Sequence, residues 1–148
     1  MIDVRQADLT SLPAAAMLFD AYRVFYEQPS DLAGAEAFLK ARLTNKESTL
    51  FIAYKGENPV GFTQLYPSFT SVGMKPIWIL NDLFVKADAR KMGVGEALIE
   101  KAKSLGRETG AKRVVLETAV DNVVAQGLYD KTGFKRGEGF YNYSVELA

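Results

Sequence analysis

The sequence predicts an α/β fold: a mixed central sheet of about six or seven strands flanked by about four helices, in a single domain of residues 1–148. Strand-like and helix-like segments follow one another in the order strand, two helices, three strands, helix, strand, helix, and one or two strands. Val114, Val115 and Leu116 are continuously apolar, as in a central strand covered on both faces. An apolar stretch, Ile77–Val85, runs directly into a glycine-bearing loop that opens an amphipathic helix.

The elements follow in order. Ile2 to Gln6 alternate and read as a short first strand. Thr10 and Ser11 can cap a helix whose first turn holds Pro13, and that helix runs through Ala16, Phe19, Tyr22, Val24 and Tyr26. Pro29 and Ser30 break it, and Asp31 caps a second helix reaching Leu43. Residues 49–55 form a strand, Gly56 to Pro59 turn, and Val60 to Phe69 return as the hairpin partner. Pro67 and the Phe69–Lys75 stretch loosen that strand toward a loop before Pro76 leads into Ile77–Val85. Val94, Leu98, Ala102 and Leu105 recur at helical spacing, and Gly110 ends that helix. Residues 113–119 form the next strand. Asp121 or Asn122 starts a short helix through Ala125, Leu128 and Tyr129, ended by Gly133. Residues 135–147, with Phe140, Tyr141, Tyr143 and Val145, supply the final strand or strands.

Composition narrows the chemistry. The 18 basic residues balance the 18 acidic ones, so no global field favours nucleic acid. Lys86, Arg90, Lys91, Lys101, Lys103, Arg107, Lys112 and Arg113 nevertheless gather around the loop and its helix. The chain has no Cys and no His, which excludes Cys–His and Ser–His nucleophiles and leaves only carboxylates to hold zinc; no metal site is expected. Acid–base work near neutral pH therefore falls to Asp, Glu, Tyr, Lys or water. No apolar run approaches the roughly 20 residues of a membrane helix. The start, Met-Ile-Asp-Val-Arg, lacks the layout of a signal peptide. A soluble cytoplasmic protein is expected.

The loop, Arg90-Lys-Met-Gly-Val-Gly95, suits an anion. The first N–H groups of a helix lack internal partners and carry about half a positive charge between them. Glycines let a phosphate reach the backbone, and Arg90 and Lys91 add formal charge. A nucleotide-triphosphate loop is excluded, because Gly95 is followed by Glu96 and Ala97 rather than Lys and Ser or Thr. The dinucleotide fingerprint fails as well, since its third small position holds Leu98.

What remains, Arg-x-x-Gly-x-Gly after an apolar strand, resembles the acyl-CoA loop of the GNAT superfamily of N-acetyltransferases. Residues 122–134, Asn-Val-Val-Ala-Gln-Gly-Leu-Tyr-Asp-Lys-Thr-Gly-Phe, resemble that superfamily's other signature. Together the two cover residues 76–146 well, and residues 1–75 agree in element order. Leu-Asn-Asp-Leu-Phe-Val (80–85), Gly-Phe-x-x-x-Tyr (61–66) and Glu-Gly-Phe (138–140) are similar to the spermidine/spermine and thialysine acetyltransferase branch.

The resemblance implies acetyl-CoA as cofactor, a primary amine of a small polyamine or lysine-like molecule as acceptor, and a homodimer, with neither nucleic acid nor membrane as partner. Backbone groups of Leu83, Phe84 and Val85 would pair with the pantetheine arm. Arg90, Lys91, Met92, Gly93, Val94, Gly95 and Glu96 would hold the pyrophosphate. Asn122 and Ala125 would line the CoA arm, and Tyr129 would protonate the departing sulfur. The branch's proton-accepting glutamate is replaced by Asn81, which can position water but cannot take a proton. Asp82 is adjacent, but neighbouring strand residues point to opposite faces; Glu117 and Glu138 are further candidates. Tyr22, Tyr26, Glu27, Tyr66, Phe69, Asp82, Glu117 and Glu138 are the expected lining of the acceptor pocket. The alternatives are a CoA-binding module without turnover and a transferase acting on a protein lysine or N-terminus.

Overall fold

Two long strands form the framework. β3 (Asn58–Thr70) and β4 (Lys75–Val85) pair antiparallel along almost their whole length in the computed structural model, which describes residues 1–148. β1 (Ile2–Gln6) and β2 (Thr49–Lys55) extend the sheet on one side, and β5 (Val114–Val115) runs parallel to β4 on the other. The sheet is thus mixed, as expected, with five strands in the order β1-β2-β3-β4-β5. Four helices complete the fold: α1 (Leu12–Phe25), α2 (Leu32–Thr44), α3 (Val94–Glu108) and α4 (Val123–Lys131).

Three boundaries differ from the sequence expectation. β3 does not loosen at Pro67 but continues to Thr70. Its ladder to β2 ends at Leu65, so Pro67 pairs only with β4 and its missing N–H interrupts no second ladder. β5 holds two residues instead of the 113–119 stretch, because it diverges from β4 after Val115. The strands expected at 135–147 are not formed: residues 134–148 contain no regular element and no backbone ladder. Alternating apolar residues make a segment capable of being a strand, but only a neighbouring backbone makes it one. Hence the sheet has five strands rather than six or seven.

Residues 1–117 and 118–148 form two compact units. In the first, alternate residues of the central strands face opposite layers. Leu50, Ile52 and Phe62 join Leu12, Ala15 and Leu18 of α1 and Leu39 of α2 in the main core. On the opposite face α3 buries Val94, Leu98, Ile99 and Ala102. Ser11 occupies the N-cap of α1, but the capping contacts come from Asp8, whose Oδ1 accepts from Thr10 N at 2.9 Å and Ser11 N at 3.3 Å. Asp31 caps α2 as expected, accepting from Gly34 N at 2.9 Å. Asp20 ties the two helices together by accepting from Asp31 N and Ser30 Oγ, both at 2.7 Å. The second unit consists of α4 and the irregular segment that follows it. No helix is long and apolar enough to cross a membrane.

Candidate active site

The middle of β4 departs from regular pleating. Gln64 pairs with Asp82, but the next residue, Leu65, pairs with Leu80, so Asn81 is the extra residue of a β-bulge. Regular alternation would place the Asn81 and Asp82 side chains on opposite faces. The bulge instead brings them together, with Asn81 Nδ2 donating to Asp82 Oδ1 at 3.2 Å. Asn81 remains exposed while Asp82 is only 6% exposed.

Asp82 sits in a small polar cluster inside an apolar layer. Gln64 Nε2 donates to its Oδ2 at 2.8 Å, and the Tyr22 hydroxyl of α1 also donates to the carboxylate. Burial pushes the Asp82 carboxyl above the ordinary range, and the bonds from Gln64, Tyr22 and Asn81 only partly oppose it. Tyr66 on β3 feels the same surroundings: its phenol is raised by burial and then by the Asp82 charge. Aromatic rings frame the cluster, with Tyr22 5.5 Å from Phe62, 6.1 Å from Phe84 and 5.1 Å from Tyr26. Gln64, fully buried, is the participant that the sequence reading missed; the available signal was an amide between Phe62 and Leu65 in an otherwise apolar strand.

Past Ile79, the edge of β4 away from β3 has no strand neighbour, since β5 pairs only with Trp78 and Ile79. Leu83, Phe84 and Val85 lie along that stretch, so an extended ligand can add there as a further strand does. A 3-10 turn (Ala87–Ala89) then leads into the loop. Lys91 has φ 66° and Gly93, the N-cap of α3, has φ 78°. The backbone N–H groups of Lys91, Met92, Gly93, Val94 and Gly95 make no hydrogen bond within the protein. A Cβ built on Gly93 meets nothing within 4 Å, so the surface beside these amides is open. Arg90 Nε donates to Val85 O at 3.4 Å, and its guanidinium lies 5.6 Å from the Phe25 ring centroid. Met92 is contacted by Lys55, Nζ to Sδ 3.9 Å, and Glu96 lies in the first turn of α3.

Gly61 allows α3 to start this close to the sheet. A Cβ there would stand 2.8 Å from Phe84 O and 3.0 Å from Val94 Cγ1. The helix N-terminus therefore rests on bare β3 backbone beside the open part of β4.

In the second unit, Asn122 caps α4, its Oδ1 accepting from Ala125 N at 3.2 Å. The helix closes with Phe134 N donating to Tyr129 O at 3.0 Å around Gly133, φ 98°. That closure folds the Phe134 ring onto Tyr129, centroids 5.7 Å apart and edge to face. The Tyr-x-x-x-Gly-Phe spacing is thus a device that fixes the tyrosine ring.

The remaining expected residues are exposed. Tyr26 and Glu27 end α1 exposed, Glu27 with φ 64°, and Phe69 is exposed near the end of β3. Glu117 lies beyond β5, exposed, rather than within a strand. Glu138 is exposed and pairs with Arg136 at 3.5 Å. The structure therefore brings Asn81, Asp82, Tyr22 and Tyr66 together.

A family model described as the acetyltransferase (GNAT) family matches residues 15–134. The uncharacterized N-acetyltransferase YhfO of Bacillus subtilis (strain 168) is 48% identical over 146 residues, 99% of this chain and 98% of its own. The thialysine N-epsilon-acetyltransferase of Caenorhabditis elegans is 25% identical over 132 residues, 84% of this chain and 79% of that one. Among solved structures, the crystal structure of a probable acetyltransferase matches with a TM-score of 0.94 at 40% identity, covering 99% of this chain and 98% of that one.

Proposed function

The chain belongs to the GNAT acetyltransferase family, whose members use acetyl-CoA, and from that premise we propose that it acetylates a primary amine of a small cationic molecule, polyamine or lysine-like, by direct attack. The observation that carries this reading is the buried Asp82 carboxylate, held by Gln64 and Tyr22 and joined to Asn81 at the bulge, at the point where β4 loses its second neighbour. The family match over residues 15–134 runs through both units and supports treating residues 1–148 as one transferase domain.

The residues present fit the thioester carrier. The unpaired amides from Lys91 to Gly95 and the Arg90 guanidinium suit a diphosphate, and the open edge at Leu83–Val85 suits an extended amide chain. When bound, acetyl-CoA supplies an activated acyl group with a thiolate leaving group.

The chain's own residues manage protons and position. An amine arrives as ammonium and must lose a proton before it attacks. Asp82 accepts that proton, directly or through a water held by Asn81. Its raised affinity for a proton suits this task better than an ordinary carboxylate would. With the thioester bound, the C–N bond would form as the C–S bond breaks; the Tyr129 hydroxyl would protonate the sulfur, and the second proton shed by the new amide nitrogen would restore the phenol through solvent. A phenol, with a reference pKa of about 10, is a protonated donor at neutral pH. Holding both reactants in attack geometry contributes on the order of 7–11 kcal/mol in favourable cases.

The polyamine or lysine-like choice is supported by the thialysine acetyltransferase relative and by the mixture of carboxylate and aromatic groups around Asp82. Tyr26, Glu27, Glu117 and Glu138 are the further residues assigned to the acceptor. The test is thiol release from acetyl-CoA with a panel of diamines, lysine analogues, aminoglycosides and lysine-containing peptides. Turnover confined to peptides refutes the small-amine assignment. Tight CoA binding without thiol release on any member of the panel refutes the catalytic role of Asp82.

A further inference from the structure

Ser48, in the turn between α2 and β2, holds a buried hydroxyl with no hydrogen-bond partner in the protein. A buried donor left unmatched costs the fold free energy. Ser48 lines a cleft of about 390 Å³, a size that accommodates a small molecule. The cleft is separate from the Asp82 cluster, because the sheet stands between them. Gln6 pairs with Phe51, Thr49 with Leu65, and Pro67 with Trp78, so Gln6, Thr49, Pro67 and Trp78 share one face. That face is the α3 side: Trp78 Nε1 donates to Thr109 Oγ1, at the C-cap of α3, at 2.8 Å. Gln64 and Asp82 point to the opposite side, where Tyr22 of α1 meets the carboxylate.

The lining is apolar in one part and carries both signs of charge in another. Trp78, Pro67 and Leu43 are the wall. With its N–H already given to Thr109, the indole of Trp78 offers a ligand only its ring. Lys46 and Asp8 also line the cleft. Lys46 forms no ion pair. Hydrogen bonds led by the Thr10 hydroxyl hold the Asp8 carboxyl below its ordinary range. The bonds from Thr10 and Ser11 all reach Oδ1, which leaves Oδ2 for a ligand.

We propose that this cleft is a binding site for a free α-amino acid with an aromatic or branched aliphatic side chain. The ligand's carboxylate accepts from Lys46 Nζ and Ser48 Oγ, its ammonium donates to Asp8 Oδ2, and its side chain lies against Trp78 and Pro67. The pairing of charges selects the class. A ligand with a carboxylate alone leaves Asp8 facing a like charge, and one with an amine alone leaves Lys46 facing one. A zwitterion answers both, and it gives the Ser48 hydroxyl the acceptor it lacks. This inference does not depend on the acceptor proposed above.

Trp78 is the only tryptophan of the chain, so its fluorescence reports on the cleft directly. Titration of the full chain with L-phenylalanine and with L-leucine, followed by emission and by calorimetry, tests the proposal. Saturable binding is expected for both. 3-Phenylpropionate, which lacks the ammonium, and phenethylamine, which lacks the carboxylate, are each expected to bind roughly tenfold or more weakly, as for loss of a hydrogen bond to a charged group. Ser48→Ala and Lys46→Gly are expected to weaken L-phenylalanine by a similar factor. Neither is expected to melt lower than wild type: the first removes an unmatched hydroxyl, and the second places glycine at φ 55°, in the left-handed region. Asp82→Asn is expected to leave the titration unchanged. No saturation by either method at roughly 10 mM amino acid, about 2.7 kcal/mol of binding, overturns the proposal. So does equal affinity for either single-charge analogue, or unchanged affinity in both cleft variants. Loss of binding in Asp82→Asn assigns the amino acid to the acceptor site and overturns it as well. Should a cleft variant fail to fold, the two analogues on the wild type still decide.

Discussion

Across the β3–β4 ladder, Gln64 Nε2 donates to Asp82 Oδ2 at 2.8 Å, and neither side chain has appreciable contact with water. The other end of the amide, Gln64 Oε1, is buried without a partner. An unmatched buried acceptor next to a carboxyl is costly when the carboxyl is ionised and useful when it is protonated, because an amide reversal then lets Oε1 accept the new O–H. Asp82 therefore carries a conflict between stability and the chemistry proposed for it. Its carboxyl is raised by burial, so the folded state holds the proton more tightly than the unfolded chain does. The stability this contributes is fully present below the ordinary carboxylate pKa and is lost as pH rises through the raised one. At neutral pH the buried charge is a burden that Asp82→Asn removes. That variant is expected to melt higher than wild type at pH 7, with the difference vanishing at acid pH, while thiol release falls by about 10²–10⁴, the usual worth of a positioned base. A melting curve and a turnover assay on the same preparation check it; undiminished turnover removes Asp82 from the mechanism.

Gln64 itself gives a second outcome. Its bond to Asp82 favours the ionised form, so removing it lets burial act with less opposition. Gln64→Leu is expected to move the acid limb of the kcat/KM profile to higher pH, with the plateau above it reduced less than at pH 6. The groups that face the carboxylate, Tyr22, Asn81 and Tyr66, stay in place and keep the profile a single-base one. The check is the pH profile for a fixed amine. A uniform loss at every pH shows that Gln64 is a packing residue only.

These two residues also mark where the sequence stops being legible. The glycine loop could be read locally: Arg90, Gly93, Gly95 and the Val94–Leu98–Ala102 stripe lie close in sequence, and the structure has the loop lead into α3 with Gly93 at its N-cap. The same holds for Tyr129 on its short helix, because the Gly133 closure is a local motif. The bulge at Asn81 could not be read, since it exists only in the register between β3 and β4. Strict alternation separated Asn81 from Asp82; the extra residue brings their side chains to 3.2 Å. The final strands failed for the complementary reason. Their alternation is genuine, but a strand also requires a neighbour, which the pattern of one chain does not reveal.

Gly61 supplies a prediction about how the loop is held. Adding a methyl there forces it to 2.8 Å from the Phe84 carbonyl and 3.0 Å from Val94, and neither backbone nor a buried valine yields easily. Overpacking of this kind costs about 1–3 kcal/mol. Gly61→Ala is expected to lower Tm by several degrees and to weaken CoA binding, because the N-terminus of α3 must lift from the sheet. Calorimetry with CoA and a thermal melt test it. A destabilised variant with intact CoA affinity shows that the helix start is not what the glycine protects.

Gly93 separates backbone strain from steric blocking. A methyl here meets nothing within 4 Å, so no neighbour resists it, but φ 78° lies in the left-handed region that residues with a Cβ avoid. The conformational cost is on the order of 1–2 kcal/mol. Gly93→Ala is therefore expected to lose modest stability and, because the new methyl stands in the open space beside the unpaired amides, to lose roughly tenfold or more in CoA affinity. Isothermal titration with CoA and with dephosphorylated pantetheine separates the two effects. Equal loss for both ligands places the damage away from the diphosphate.

Tyr129→Phe isolates the proton donor from its scaffold. The substitution keeps the ring that packs edge to face on Phe134 at 5.7 Å, and the backbone bond from Phe134 N to Tyr129 O at 3.0 Å does not involve the hydroxyl. The α4 closure should therefore survive, and CoA should bind nearly as well. In the mechanism we propose, what is lost is the acid for the leaving sulfur, worth about 10²–10⁴ in rate for a positioned proton donor. A thiolate is itself a tolerable leaving group, so the deficit is expected to grow as pH rises and solvent protons become scarcer. Single-turnover rates across pH, set beside CoA affinity from titration, decide the matter. A parallel fall in affinity and turnover assigns Tyr129 to binding and leaves the departing sulfur to be protonated by solvent.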